Sequence, residues 1–514
     1  MSAPQIRVGI IQNTQELVFS ATGPFTLVAD GKEVYVGEQN QRFKVRIASA
    51  TSGRLVYRVL ARKLKEEQQV EELKRKFDSK YPVEIRRVGK KIESRDGKLI
   101  HDNTEIWALV GKFSSKSEAL KLCDEINGIQ VVDDFISKGE GSIKILTSNG
   151  REAATASIAQ IEPIDAVSGR VCIFDVPVGK GFHWEHSEDQ LFRGKIEFRI
   201  NNYGGIAAIN ELPLNEYLAS VNSSEARPQA PLELLKAQTV VARGTALVTM
   251  GKHHFNEPFD LCNSDHCQVY KGSGVEKSKS TEAVNSTFGE VLTHKGEICD
   301  TRFAAICGGI TEDFENVWFE ESKPYLTSII DAAKISEIEK FFPANTEERA
   351  KNFIDAEPKS YCNTLREGLP AYLNYAKNCF RWQVSYKREE LEQIIKEKTG
   401  KDVGRLLDIL PLRRGNSGRI INLELKGDKR AIKIRSELAI RMALSKSCLL
   451  SSCFYVETQR DKNGIPVSFT LHGAGWGHGV GMCQIGATLM AEQGKKYREI
   501  LHHYYKDSRI KKVY

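Results

Sequence analysis

Residues 212–250 constrain this chain most. They read Leu-Pro-Leu-Asn-Glu-Tyr-Leu-Ala-Ser-Val-Asn-Ser-Ser-Glu, then Ala-Arg-Pro-Gln-Ala-Pro, then a long apolar run to Met250. The pattern predicts two helices joined at a proline-rich corner. Pro213 suits a first helical position, where its missing N–H is no loss. Leu214, Tyr217, Leu218 and Val221 follow at helical spacing, and the next position on that stripe is Glu225. Pro228 breaks the first helix. Pro231 opens the second, with Leu232, Leu235, Val240, Ala246 and Leu247 among its apolar positions. A carboxylate at the end of a core-facing stripe is partly desolvated. Its pKa rises, and it stays protonated near neutral pH, as a general acid must. The alternative for Glu225 is a helix-end carboxylate that reaches solvent or pairs with Arg227. Periodicity alone leaves both readings open.

The 514 residues suggest two to four domains. A net charge of +7 is mild over this length and fits an acidic glycan or an anionic surface without requiring either. No RNA-binding aromatic signature, basic helix or phosphate-cradling glycine loop occurs, so nothing points to nucleic acid. No apolar run is long enough to span a membrane. The first ten residues resemble a strand, not a signal peptide. The expectation is a cytoplasmic protein or one whose export segment lies outside this chain. Eleven cysteines scattered through so long a chain do not make a small disulfide scaffold, and most are expected to be buried as small hydrophobes.

Residues 1–50 read as short strands at 6–11, 16–20, 25–28 and 33–36, with Asp30-Gly31 as a hairpin signal. Residues 53–136 follow the order β-α-β-β-α-β of a split ferredoxin-like unit: a strand at 55–61, a helix at 63–80, strands at 83–88 and 105–113, a helix from 116 to about 127, and a strand at 130–135. Within it, Trp107-Ala-Leu-Val-Gly-Lys-Phe-Ser-Ser-Lys-Ser-Glu-Ala-Leu resembles the SPOR domain, which binds glycan strands lacking stem peptides. A ferredoxin-like spacer is the other reading. Strands return at 142–146, 154–160, 171–176, 195–200 and 206–209, and are expected to form one β unit with residues 1–50. Residues 331–415 are charged and irregular, with helices near 336–341 and 388–398. Helices close the chain at 483–493 and 497–505, where Tyr497, Ile500, Leu501 and Tyr504 form an apolar stripe.

Three further stretches carry chemistry. His253-His254 and Cys262-Asn-Ser-Asp-His266-Cys267 place two thiols and three imidazoles within fifteen residues, a donor set suited to a Cys2His2 zinc site. A strained Cys262–Cys267 disulfide, or uninvolved thiols, are the alternatives. Residues 300–312 form a strand entering a Gly308-Gly309 turn. In 472–487, glycine stands at 473, 475, 477, 479 and 481. If extended, one face carries no side chains while the other shows Ala474, Trp476, His478, Val480 and Met482. Such density implies a close backbone approach, from a sugar ring on Trp476 or from a tightly packed hairpin.

Together these motifs resemble the SpoIID/LytB family. The match covers about 190–330 and 418–514. It rests on Leu-Pro-Leu-Asn-Glu-Tyr-Leu with Ser-Ser-Glu225, on Leu-Leu-Lys-Ala-Gln-Thr-Val-Val-Ala-Arg243, on Cys262…His266-Cys267-Gln-Val-Tyr, on Gly308-Gly309-x-Thr311-Glu312, on Lys323-Pro-Tyr-Leu, and on Gly475-Trp-Gly-His-Gly-Val-Gly-Met-x-Gln484-x-Gly486-Ala487. The resemblance implies a peptidoglycan lytic transglycosylase that cuts between N-acetylmuramic acid and N-acetylglucosamine, with Glu225 as its essential residue. It implies a structural zinc held by Cys262, Cys267, His266 and either His254 or His253. Gln238, Arg243, Thr311, Trp476, His478 and Gln484 are the candidates for substrate contact, each with a structural alternative. A non-catalytic wall-binding protein that stimulates a cell-wall amidase is the competing function. Peptidoglycan as partner implies an extracytoplasmic site of action. The chain departs from the family pattern at Arg243-Gly-Thr, at Gln484-Ile-Gly, at Cys307 and Cys483 where serine is common, and in the length of 331–415.

The expected fold is α+β and multi-domain. A β-rich region comprises 1–50 and 140–190, and a SPOR-like ferredoxin-like unit spans 53–136. A SpoIID-like catalytic core of helices and strands comprises 191–330 and 418–514, interrupted by an insertion at 331–417.

Overall fold

A computed structural model of the chain describes residues 2–64, 68–77, 80–179 and 185–514. Helices and strands are mixed, as expected of an α+β protein. The strands at the N-terminus alternate buried and half-buried side chains, as in Phe25–Ala29, and so turn one face each to the core. They assemble two sheets. One has seven strands, in the order 261–262, 5–14, 206–213, 195–200, 158–163, 25–29 and 32–37; the other has six, in the order 152–156, 140–147, 43–51, 16–21, 171–178 and 186–192. An aromatic cluster sits among the core residues they share, with Phe19 stacked on Phe43 at 5.2 Å and Phe25 and Phe198 beside Phe19. Asp30 (φ 47°) and Gly31 (φ 81°) turn the predicted hairpin.

The boundary expected at 190/191 falls later. Lys195–Ile200 and Ile206–Pro213 belong to the seven-stranded sheet, the latter pairing with Gln5–Thr14. The β unit therefore ends at Pro213, and the helix bearing Glu225 begins at the next residue.

The ferredoxin-like order is realised. The strands lie in the spatial order Gln130–Phe135, Leu55–Leu64, Glu105–Phe113, Val83–Val88, all antiparallel. The helix expected at 63–80 is described over Gln68–Phe77; residues 65–67 and 78–79 of that expectation lie outside the described residues. Beyond the basic turn, a small hairpin (Lys91–Glu93 with Leu99–Asp102) projects from the unit. This unit is fastened to the core. Trp107 packs edge-on to Phe255 at 5.3 Å, Lys252 Nζ reaches Glu105, and Asn103 Nδ2 donates to the carbonyls of Leu247 and Met250.

Leu232–Thr249 is the central helix. Almost every position on it is buried, the mark of a helix enclosed on all sides. Leu214–Glu225, Ser278–Ser286, Gln484–Glu492 and Tyr497–Tyr504 surround it.

The segment 331–417 is not a separable insertion. Arg381–Lys387 pairs with Pro466–Ala474, and Leu406–Arg414 pairs with Ile420–Gly427. Both ladders cross the expected boundary at 417/418. Arg381–Lys387 meets a strand far along the chain, which composition could not reveal, and Leu406–Arg414 forms a hairpin that itself spans the boundary. The helix expected at 388–398 is present as Arg388–Thr399. That expected at 336–341 is two 3-10 turns, and Glu347–Asp355 forms a helix that was not anticipated.

Candidate functional site

Leu214, Tyr217, Leu218 and Val221 are all buried, which fixes the rotation of the first helix. Asn222 Nδ2 pins it to the central helix by donating to Leu235 O (3.0 Å) and Thr239 Oγ1 (2.8 Å). Glu225 is the last helical residue; Ala226 turns extended (φ −118°, ψ 148°) ahead of Pro228. The carboxylate consequently lies in a cleft at the helix end. Its Oε1 accepts from the Val269 N–H (3.3 Å) and its Oε2 from Gln484 Nε2 (3.4 Å). Burial pushes the carboxyl up to about 7; the two hydrogen bonds pull the other way, and the nearby Asp265 charge adds to the rise. Arg227 does not neutralise it, because its guanidinium lies over the Tyr375 ring at 4.3 Å.

The cleft encloses about 440 Å³ of space, counted out into solvent at its open mouth. Glu225, Gln238 and Gln484 supply its polar floor, and Leu234, Ala305, Ile485 and Trp476 its apolar walls. Tyr372 and Tyr375 form a lip that sequence reasoning missed. They sit in a 3-10 turn, Ala371–Ala376, whose tyrosine spacing carried no recognisable motif. Tyr372 Oη is anchored on Glu492 at 2.6 Å.

The structure thus gathers Glu225, Gln238, Trp476 and Gln484 and places three other candidates elsewhere. Arg243 is fully buried, with Nε donating to Tyr514 Oη (2.9 Å) and Nη1 to Glu290 O (2.8 Å). It braces the central helix against the C-terminus and has no face on the cleft. Thr311 is buried, its Oγ1 accepting from the Ile329 N–H. His478 packs against Trp318 (5.0 Å), accepts from the Val480 N–H at Nδ1, and is held neutral, its pKa pushed down to about 3 by burial beside Arg302 and Arg419.

The glycine-rich stretch is not the extended segment considered above. The strand ends at Ala474, and Gly475, Gly477, Gly479 and Gly481 all take positive φ (79°, 93°, 77° and 72°). The close neighbour is protein. A Cβ at Gly479 would come within 2.4 Å of the Arg419 guanidinium. This coiled path aims Trp476 into the cleft and holds it by paired backbone bonds to Ile306.

The Cys/His cluster lies beside the same floor. Cys262 ends a short strand at the edge of the seven-stranded sheet, opposite Gly9. Donor atoms of His254, Cys262, His266 and Cys267 all lie within 4.8 Å of one another, and every cysteine in the chain is a free thiol. Cys267 Sγ is 3.4 Å from His254 Nε2 and 3.5 Å from His266 Nδ1, and Cys262 Sγ is 3.8 Å from His266 Nδ1. A tetrahedral zinc with ordinary bond lengths has ligand–ligand edges of about 3.4 to 3.8 Å, so this donor set fits one zinc ion. His254 completes the set. His253 Nδ1 stands 3.9 Å from Cys267 alone, its ring kept neutral by burial and Arg302. Two residues after Cys267 comes Val269, whose N–H holds Glu225, and Tyr270 stacks on Tyr217 at 5.2 Å. The cluster and the carboxylate are therefore parts of one construction.

The family model described as "Stage II sporulation protein" matches residues 202–294, the stretch that carries Glu225, the central helix and the Cys/His cluster. A domain of unknown function, DUF8618, matches residues 312–481. An uncharacterized protein of Brachyspira hyodysenteriae is 32% identical over 297 residues, 58% of this chain and 66% of that protein. Stage II sporulation protein D of Bacillus amyloliquefaciens is 26% identical over 60% of this chain and 76% of its own length. The amidase enhancer of Bacillus subtilis is 27% identical over 53% of this chain, but the chain spans only 37% of that protein.

Proposed function

The chain belongs to the SpoIID/LytB family of stage II sporulation proteins and amidase enhancers, and on that premise we propose that it is a lytic transglycosylase of peptidoglycan glycan strands. The observation that carries the reading is Glu225: it is the only carboxylate lining the cleft among the described residues, and its pKa is raised to about 7. Glycoside hydrolases of the ordinary kind need two flanking carboxyl groups. A transglycosylase needs one. Protonated Glu225 gives its proton to the glycosidic oxygen between N-acetylmuramic acid and N-acetylglucosamine. The muramic 6-hydroxyl closes on the anomeric carbon, and the Glu225 carboxylate takes the hydroxyl proton. Water is not consumed, and the product carries a 1,6-anhydromuramic end.

Gln484 and the Val269 N–H hold the carboxylate in place through both proton transfers. Gln238 sits 3.5 Å from the Gln484 amide and fixes its orientation. Trp476 and Tyr375 offer ring faces on which a sugar can lie. His254, Cys262, His266 and Cys267 would hold a zinc ion with four protein ligands, which would leave no open position and would supply a cross-link fixing the Val269 loop. Action on peptidoglycan places the protein outside the cytoplasmic membrane; no helix among the described residues is long and apolar enough to cross one. The likeness to an amidase enhancer supports one second reading, a wall binder that stimulates an amidase.

The test is a digest of purified glycan strands, with and without stem peptides, by the wild type and Glu225→Gln, read by mass spectrometry. Anhydromuramic ends from the wild type alone establish the lyase. Binding by both proteins with cleavage by neither establishes the wall binder.

A further inference from the structure

A second group of metal-binding side chains lies deep in the core, away from the Cys/His loop. Cys307, Cys362, Cys483 and Asp331 are each no more than 2% exposed, and their donor atoms all lie within 4.8 Å of one another. They come from four separate segments: the Gly308-Gly309 turn, the stretch after Pro358, the start of the helix Gln484–Glu492, and the end of a bridge to Ile310. Cys307 Sγ is 3.5 Å from Cys362 Sγ and 3.2 Å from Asp331 Oδ2. The two sulfurs are not bonded, and their spacing is near the edge of about 3.7 Å that a tetrahedral tetrathiolate-type ion imposes.

Backbone N–H groups point at two of the sulfurs. Cys483 Sγ accepts from the N–H groups of Cys307 (3.2 Å) and Gly486 (3.4 Å), and Cys307 Sγ from that of Gly309 (3.4 Å). Backbone donors of this kind stabilise charge on metal-bound sulfur. Asp331 is oriented through its other oxygen, Oδ1, which meets His503 Nε2 (3.1 Å) and Tyr504 Oη (2.8 Å), leaving Oδ2 aimed at the sulfurs. Gly486 keeps this path clear, since a Cβ there would stand 2.6 Å from Oδ2. Arg381 donates to the carbonyls of Ile354, Gly308, Phe380 and Phe353, and the Gly308 contact places its charge beside the residue that follows Cys307.

We propose that Cys307, Cys362, Cys483 and Asp331 hold a single zinc ion in a second, closed, structural site. Sulfur-rich tetrahedral donors select zinc, and donor atoms packed this closely enclose one ion, not an iron–sulfur cluster. The ion ties together the parts that shape the cleft. Cys483 precedes Gln484, Cys307 follows Ala305, and Cys362 leads into the turn bearing Tyr372 and Tyr375.

The test is zinc content of the full chain by mass spectrometry of the metal, for the wild type, Cys362→Ser and Cys267→Ser. The expected contents are about two, one and one per chain. X-ray absorption at the zinc edge of the wild type guards against misfolded variants. It should give about 2.5 sulfur ligands per zinc when a Cys2His2 and a Cys3Asp site are averaged, against 2 for the Cys/His site alone. Zinc retained in full by Cys362→Ser, two sulfurs per zinc, or a Cys307–Cys362 disulfide in unreduced protein would each overturn the proposal. One zinc with three sulfurs, kept by Cys267→Ser, would support this site while removing the other.

Discussion

Replacing Glu225 by Gln should abolish cleavage and make the protein more stable, and the gain should depend on pH in a defined way. The folded-state pKa of about 7 lies above the ordinary 4.5. The folded protein therefore holds this proton over a pH range in which the unfolded chain has released it. Stability from this group is fully present below pH 4.5, declines as pH rises, and levels off above 7. At 1.36 kcal/mol per unit, the loss at pH 8 is about 3 kcal/mol, somewhat less where water reaches the cleft mouth. Glutamine copies the protonated acid in shape and does not titrate. Urea unfolding of wild type and Glu225→Gln should therefore coincide near pH 4.5, with the variant about 2 to 3 kcal/mol more stable at pH 8. All other titrations cancel in the difference. Wild-type cleavage should fall about tenfold per pH unit above 7 as the acid ionises. A stability gap that stays constant from pH 4.5 to 8 would mean the carboxyl is not held protonated, and the general-acid argument would fail with it.

Four other outcomes follow from the geometry. Cys267→Ser should lose the zinc of the Cys/His site and slow cleavage about tenfold or more through the Val269 loop, measured as zinc content and anhydro product; full activity without zinc would contradict the link. Arg243→Met leaves the Tyr514 hydroxyl and the Glu290 carbonyl without their buried donor and should cost about 2 to 3 kcal/mol in urea unfolding. Weaker glycan binding at unchanged stability would instead put Arg243 in the groove. Tyr375→Ala should raise KM several-fold with kcat little changed, as expected for a sugar-stacking lip; an unaltered KM would remove it from the site. Gly479→Ala must accommodate a φ of 77° and the Arg419 guanidinium at 2.4 Å, and should lower stability by about 1 to 3 kcal/mol; a wild-type melting curve would rule that out.

Local periodicity determined a good deal. The stripe Leu214-Tyr217-Leu218-Val221 led to Glu225 because helical spacing is set by backbone geometry. The strand and helix order of 53–136, the Asp30-Gly31 hairpin and the helices Arg388–Thr399 and Tyr497–Tyr504 were legible for the same reason. The Cys262…His266-Cys267 donors stand close enough in sequence to suggest their meeting. What tertiary structure alone decided is partnership across distance. Gln238 and Arg243 sit on one helix buried on every side, so no pattern of polarity could say that Gln238 turns to the cleft and Arg243 to Tyr514. The ladder joining 381–387 to 466–474, which makes 331–417 part of the core, depends on hydrogen bonds between distant segments that leave no trace in composition. The glycines at 475–481 marked a close approach, but only the fold identifies the Arg419 guanidinium and the Ile306 backbone as what approaches. Cys307, Cys362 and Cys483 look like scattered core thiols until two loops and a helix start bring them together. Side-chain spacing encodes which face of an element is buried; which distant segment buries it is a property of the whole packed chain.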